Sequence, residues 1–149
     1  MEYMQATCSM PLVARIVETD GRLYMDGCIS DSIPIRHAED AGYSKNVVVR
    51  TRVRGYQKEA NKAMPLIKMR YRKYPAFVNG CATRHIRYNE TLEYIDAEEK
   101  AGRVFVIAPT KDCGVGSVCK DRQKLEAFYE IGYQDAAHRM DELMKFLEK

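Results

Sequence analysis

Apolar and polar positions follow two different periods along this chain. RIVET (15–19) and RLYMD (22–26) are short extended runs on either side of Asp20-Gly21, the signature of a two-residue turn, so a hairpin is predicted. Gly27 breaks the second run. Ser30 to Ser32 are N-cap candidates and Pro34 suits the first turn of a helix that passes through His37 and Ala38 and stops near Gly42. NVVVRTRV, from Asn46, predicts a strand with both faces buried at its start, and RVFVIAP predicts a second of that type. Elsewhere the period is helical. In MPLIKMRYRKY, Met64, Ile67, Tyr71 and Tyr74 share one face, while Lys68, Arg70, Arg72 and Lys73 lie around the others. A longer helix then spaces Cys81, His85, Tyr88, Leu92 and Ile95 by three and four and ends at Gly102. From Asp121 the tail is helical, with Leu125, Phe128, Tyr129, Ala136, Met140, Leu143 and Leu147 in register; Gly132 inside it marks a bend or a close contact. The opening residues EYMQATCSM are helix-compatible as far as Pro11.

The predicted order is helix, hairpin, helix, strand, two helices, strand, helix, which implies an α/β fold with a partly parallel sheet. The 149 residues have the length of one domain, 1–149. Only two strands have the character of central sheet strands, and two strands rarely make a stable sheet alone. The chain is therefore expected to be a portion of a larger fold.

Hydrophobic residues make up 46% and charged residues 30%, a globular balance that excludes a disordered chain. No apolar run approaches the roughly 20 residues that span a bilayer. MEYMQATCSM has neither a basic nor an apolar leader region, so a cytoplasmic protein is expected. Cys8, Cys28, Cys81, Cys113 and Cys119 form no CxxC pair and point to reduced thiols. Net charge is only +3, but from Lys45 to Pro75 ten Lys or Arg face the single acid Glu59; that stretch is +9 and the remainder −6. Such a basic patch attracts phosphate, whether of lipid, nucleic acid or substrate.

Asp26 ends an extended run and precedes a glycine. A carboxylate so placed can act as a general base toward a serine hydroxyl, or as a turn cap bonded to nearby N–H groups. Asp31, near a helix start, reads as a cap; a carboxylate pair with Asp26 for glycoside chemistry has little behind it in a chain with no Trp. His37, His85 and His138 lie on predicted helices at core or surface positions, with no metal-ligand spacing, so no metal or other cofactor is called for. GVGSV (114–118) follows a strand but lacks the second glycine of a serine elbow and the lysine of a phosphate loop. RTRVRG and KMRYRKY, with interleaved tyrosines, suit nucleic acid, an anionic lipid surface, or simply a solvated face.

The run MQATCSMPLVARIVETDGRLYMDGCISDSIPI resembles the C-terminal active-site segment of bacterial patatin-like phospholipases. There a small-residue helix end leads through a proline and a hairpin to an Asp-Gly-Gly motif and a helix starting near a proline. NVVVRTR, YRKYP, RHIRYNETLEYI and the final helix are similar to the same branch, so the resemblance covers nearly the whole chain. It implies the C-terminal part of a three-layer α/β/α fold with few sheet strands and a helical C-terminal tail. It also implies a lipid or ester hydrolase with a Ser–Asp dyad, in which Asp26 is the base, Gly27 and Cys28 support the turn and Asp31 is a structural cap. Lys68, Arg70, Arg72 and Lys73 become candidate contacts for an anionic head group. Two departures follow. Cys28 replaces the second glycine, where a Cβ would strain a left-handed turn. The family's oxyanion loop and Gly-x-Ser-x-Gly elbow lie upstream of this segment, so the chain is expected to be inactive alone and to self-associate or dock onto a separate N-terminal half carrying the serine. The alternatives are a non-catalytic truncated module that binds a partner or an anionic lipid surface, with peripheral membrane contact, and a basic nucleic-acid-binding domain.

Overall fold

The computed structural model describes residues 2–116 and 118–148. It is a mixed α/β protein with a two-stranded antiparallel hairpin and a two-stranded parallel sheet. The chain folds as two compact units. One comprises Met1–Pro34 with Lys58–Glu93, the other Ile35–Gln57 with Tyr94–Lys149.

The first unit opens with α1 (Glu2–Ala6), which is shorter than the helix-compatible run. After it the hydroxyls of Thr7 and Ser9 bond back to the carbonyls of Met4 and Gln5, and the chain turns. The hairpin forms where the sequence predicts it. β1 (Val17–Thr19) pairs antiparallel with β2 (Arg22–Tyr24), Val17 opposite Tyr24. Asp20 and Gly21 both take positive φ, 51° and 69°, as the hairpin turn requires. A 3-10 turn, Gly27–Ile29, follows, an element the sequence does not signal. Later come α3 (Met64–Arg70) and α4 (Pro75–Lys100), which runs on into the second unit. α3 ends at Arg70, short of Tyr71 and Tyr74 in the predicted face, and that face is buried at Ile67 and Tyr71 while Tyr74 is 38% exposed. Ile67 and Tyr71 join Cys81 of α4 in a buried cluster, with Ile16, Met25, Ile29, Met64, Phe77 and Val78 packed around it. The Tyr71 and Phe77 rings meet edge to face at 5.0 Å. Leu12 sits in the left-handed region, φ 69°, and its N–H donates to the Tyr71 hydroxyl at 3.0 Å.

In the second unit α2 (Ile35–Asp40) buries Ile35 and leads to β3 (Asn46–Val49), which pairs in parallel with β4 (Val104–Ile107), Val47 beside Phe105. β4 is buried at Val104, Phe105 and Val106, as its run predicts. β3 departs from the expectation of two buried faces. Val48 is covered, but Val47 is 41% and Val49 71% exposed. The reason is that β4 is its only strand partner and one face has no covering layer among the described residues. The basic stretch after β3 turns onto α4 instead of extending the strand. Arg50 reaches Asp96 at 3.0 Å, and Arg54 holds Glu99 with two bonds. The latter pairing keeps the Glu99 carboxyl below the usual carboxylate range.

The tail is helical from its Asp121 cap, as predicted: α5 (Arg122–His138) and α6 (Met140–Glu148). The break falls at Arg139 and not at Gly132, which stays within α5. Arg139 lies over the Phe105 ring at 4.3 Å, donates to the Val106 carbonyl and pairs with Glu142, so the chain stops there to dock on β4. Neither helix has a buried residue among those described; Leu125, Tyr129, Met140, Met144 and Leu147 stay exposed.

Candidate functional site

Asp26 follows β2 directly and caps the 3-10 turn. Its Oδ1 accepts the Cys28 N–H at 2.9 Å, and its own N–H donates to the Ser9 carbonyl at 3.1 Å. Both readings of this residue therefore meet in one place, because a side chain that caps a turn is also one whose carboxylate is fixed in direction. The turn is held from behind by α4. Arg84 Nε donates to the Cys28 carbonyl at 2.7 Å, and Arg87 Nη2 donates to the carbonyls of Ile29 (2.7 Å) and Gly80 (3.0 Å). Thr83 accepts the other Arg87 nitrogen at 2.7 Å. Gly80 itself is not required by crowding, since a Cβ there would stand in ordinary contact, 3.5 Å, with the Ile29 side chain.

A cavity of about 540 Å³ opens beside Asp26. Leu23, Met25, Ile29, Phe77 and Ala76 give it apolar walls, and Asp26 and Arg87 are its charged groups. An apolar pocket with a few fixed polar groups is the usual form of a small-molecule site. No serine hydroxyl among the described residues bonds the Asp26 carboxylate. Those of Ser9, Ser30 and Ser32 go to the carbonyls of Gln5, Gly27 and Cys28.

The strain expected at Cys28 does not arise. Neither Gly27 nor Cys28 has positive φ, so a Cβ is accommodated. The Cys28 thiol is pushed up to about 11, first by burial and then by hydrogen bonding to Asp26. Iodoacetamide labelling of Cys28, followed by mass spectrometry, is expected to stay slow until the pH nears 11, and Asp26→Asn is expected to move that rise to lower pH. Labelling of Cys28 at pH 8 as fast as that of exposed Cys8 contradicts this environment. The same shift fixes a sign for stability. The unfolded chain loses this proton first, so the stabilising contribution falls as pH climbs from about 9 toward 11.

Of the other residues singled out from sequence, Asp31 accepts the Ile33 N–H at 3.3 Å in the turn before α2 and does not line the cavity. Lys68, Arg70, Arg72 and Lys73 are exposed and do not line the cavity beside Asp26. His37 and His138 are exposed, and His85 is half-buried with Nδ1 unpartnered among the described residues. In 114–118, Ser117 lies outside the described residues; Gly114 takes φ 64° and donates its N–H to Asp112. No three His, Cys, Asp or Glu converge as metal ligands among the described residues. No described helix is long and apolar enough to cross a membrane. Sequence reasoning missed Arg84 and Arg87. Their three-residue spacing on one face of a helix was the available signal, but their acceptors are main-chain carbonyls that no sequence pattern marks.

Residues 74–148, about half of the chain, match a family described as a domain of unknown function (DUF6363). No curated protein matches the chain.

Proposed function

Because the chain belongs to the DUF6363 family, whose description assigns no activity and whose match does not reach Asp26, we propose a function from the site itself. Asp26 is the base of a Ser–Asp dyad in a patatin-like acyl hydrolase, and this chain is the C-terminal part of that three-layer α/β/α fold. The observation that carries the reading is a carboxylate fixed on a strand-end turn and facing a largely apolar cavity of about 540 Å³. The cavity walls suit the acyl chain of a lipid or other ester. In this reading the serine comes from a polypeptide segment other than those described here. Asp26 takes the serine hydroxyl proton as Oγ attacks the ester carbonyl, then returns it to the departing alkoxide. A water, deprotonated by the same carboxylate, releases the acid and restores the serine.

The test is hydrolysis of p-nitrophenyl butyrate by this chain alone and by the chain joined to a patatin-like segment bearing the Gly-x-Ser-x-Gly elbow. Turnover is expected only in the joined protein. Absence of turnover in both, or turnover by the chain alone, overturns the reading.

A further inference from the structure

The segment 62–74 holds Lys62, Lys68, Arg70, Arg72 and Lys73 and no acid. Among the described residues none of the five forms an ion pair, whereas several arginines elsewhere are matched, as Arg54 is with Glu99 and Arg103 with Glu98. Between these cations α3 turns two apolar side chains outward: Leu66 is 49% and Met69 67% exposed, although Ile67 between them is 1% exposed. The helix is thus buried on one side and both basic and apolar on the other. Leu66 and Met69 stand exposed among five cations that have no acidic partner among the described residues.

The same segment borders the site. Tyr71 and Tyr74 line a second cavity of about 90 Å³ with Ile16, and this cavity shares Leu23, Tyr24, Met25 and Phe77 with the one beside Asp26. The basic segment and the Asp26 cavity are therefore neighbours across a shared apolar wall. Tyr71, at the centre of this stretch, does not favour a nucleic acid. Tyr71 is buried against Phe77 and its hydroxyl accepts from Leu12, so it has no face left for a base.

We propose that this surface docks onto an anionic lipid bilayer. Lys62, Lys68, Arg70, Arg72 and Lys73 meet head-group phosphates while Leu66 and Met69 enter the head-group/acyl boundary. Docking itself does not depend on the dyad; only the delivery of a bilayer lipid to the Asp26 cavity rests on the function proposed above.

The test is sedimentation of the full chain with vesicles of phosphatidylcholine and phosphatidylglycerol in equal parts, beside vesicles of phosphatidylcholine alone. Binding to the anionic vesicles only, weakening with salt, is expected. Lys68→Gln with Arg72→Gln removes two charges and is expected to lower the partition coefficient roughly 30-fold. Leu66→Ser with Met69→Ser is expected to lower it roughly tenfold through lost apolar insertion. Arg122→Gln with Lys124→Gln on α5 makes the same change of net charge and is expected to cost less than about twofold. All these sites are exposed, and unchanged far-ultraviolet circular dichroism confirms that each variant folds. Equal affinity for both vesicle types overturns the proposal. So does an equal loss in the α5 control, or preference for an oligouridine over the anionic vesicles. Binding reads no chemistry, so Asp26→Asn is expected to bind as wild type does. A failed ester assay with intact vesicle binding sinks the dyad alone.

Discussion

Asp26→Asn, placed in a turnover-competent joined protein, is expected to lower kcat for p-nitrophenyl butyrate by about 10⁶-fold with KM little changed, the scale seen when the base of a catalytic triad is removed. The substitution separates the two roles of this residue. An amide oxygen still accepts the Cys28 N–H, so the cap on the 3-10 turn survives. What is lost is the ability to take a proton from serine, a transition-state interaction that appears in kcat. Asp31→Asn is the matched control. Its carboxylate accepts the Ile33 N–H and does not line the cavity, so kcat is expected to stay within about twofold. Unchanged circular dichroism of Asp26→Asn is expected, since the cap survives. If the variant folds and turns over as wild type does, the base is elsewhere.

Ile67→Ala is expected to destabilise the first unit by about 3 kcal/mol in urea unfolding. Ile67 is 1% exposed and is the centre of a cluster that includes Met25 and Ile29, the apolar residues flanking Asp26 on either side. Alanine there removes buried methyl and methylene groups and leaves a cavity that the rings of Tyr71 and Phe77, locked edge to face, cannot collapse to fill. Leu66→Ala, one residue earlier, is expected to cost less than about 1 kcal/mol, because that side chain is 49% exposed. Equal costs at the two positions would mean that α3 is not buried along the face seen here. The consequence for the site is direct. Met25 and Ile29 carry the ends of the Asp26 turn, so loosening the cluster is expected to lower activity beyond what the unfolded fraction explains.

The parts legible in the sequence are those set by neighbours a few residues apart. Asp20-Gly21 announces a hairpin because few other pairs accept positive φ twice in succession. Asp121 caps α5, and Gly102 with φ 75° follows α4, for equally local reasons. The placement of Asp26 at a strand end before a glycine was visible too. The close contact considered at Gly132 is absent, since a Cβ there would meet nothing within 4 Å, and the glycine stays within α5. Contacts of Arg139 with Phe105 and Val106, more than thirty residues away, set where the tail helix breaks. The expected burial of β3 failed because NVVV states only that a strand wants cover, and the cover belongs to other segments.

From the sequence alone came the hairpin, the two parallel-type strands, the amphipathic α3 with its cations outward, and Asp26 as the carboxylate to watch. These follow from backbone preference and side-chain period, which act over one or two turns of chain. The tertiary structure alone decided that Val47 and Val49 stay exposed and that Cys28 fits its turn without a left-handed backbone. It also decided that Arg84 and Arg87 clamp that turn across more than fifty residues of chain, and that Phe77 and Ala76 supply walls to a cavity at Asp26. Such contacts depend on which distant segments meet, and the free energy that selects them is distributed over the whole buried cluster, not written at any one position.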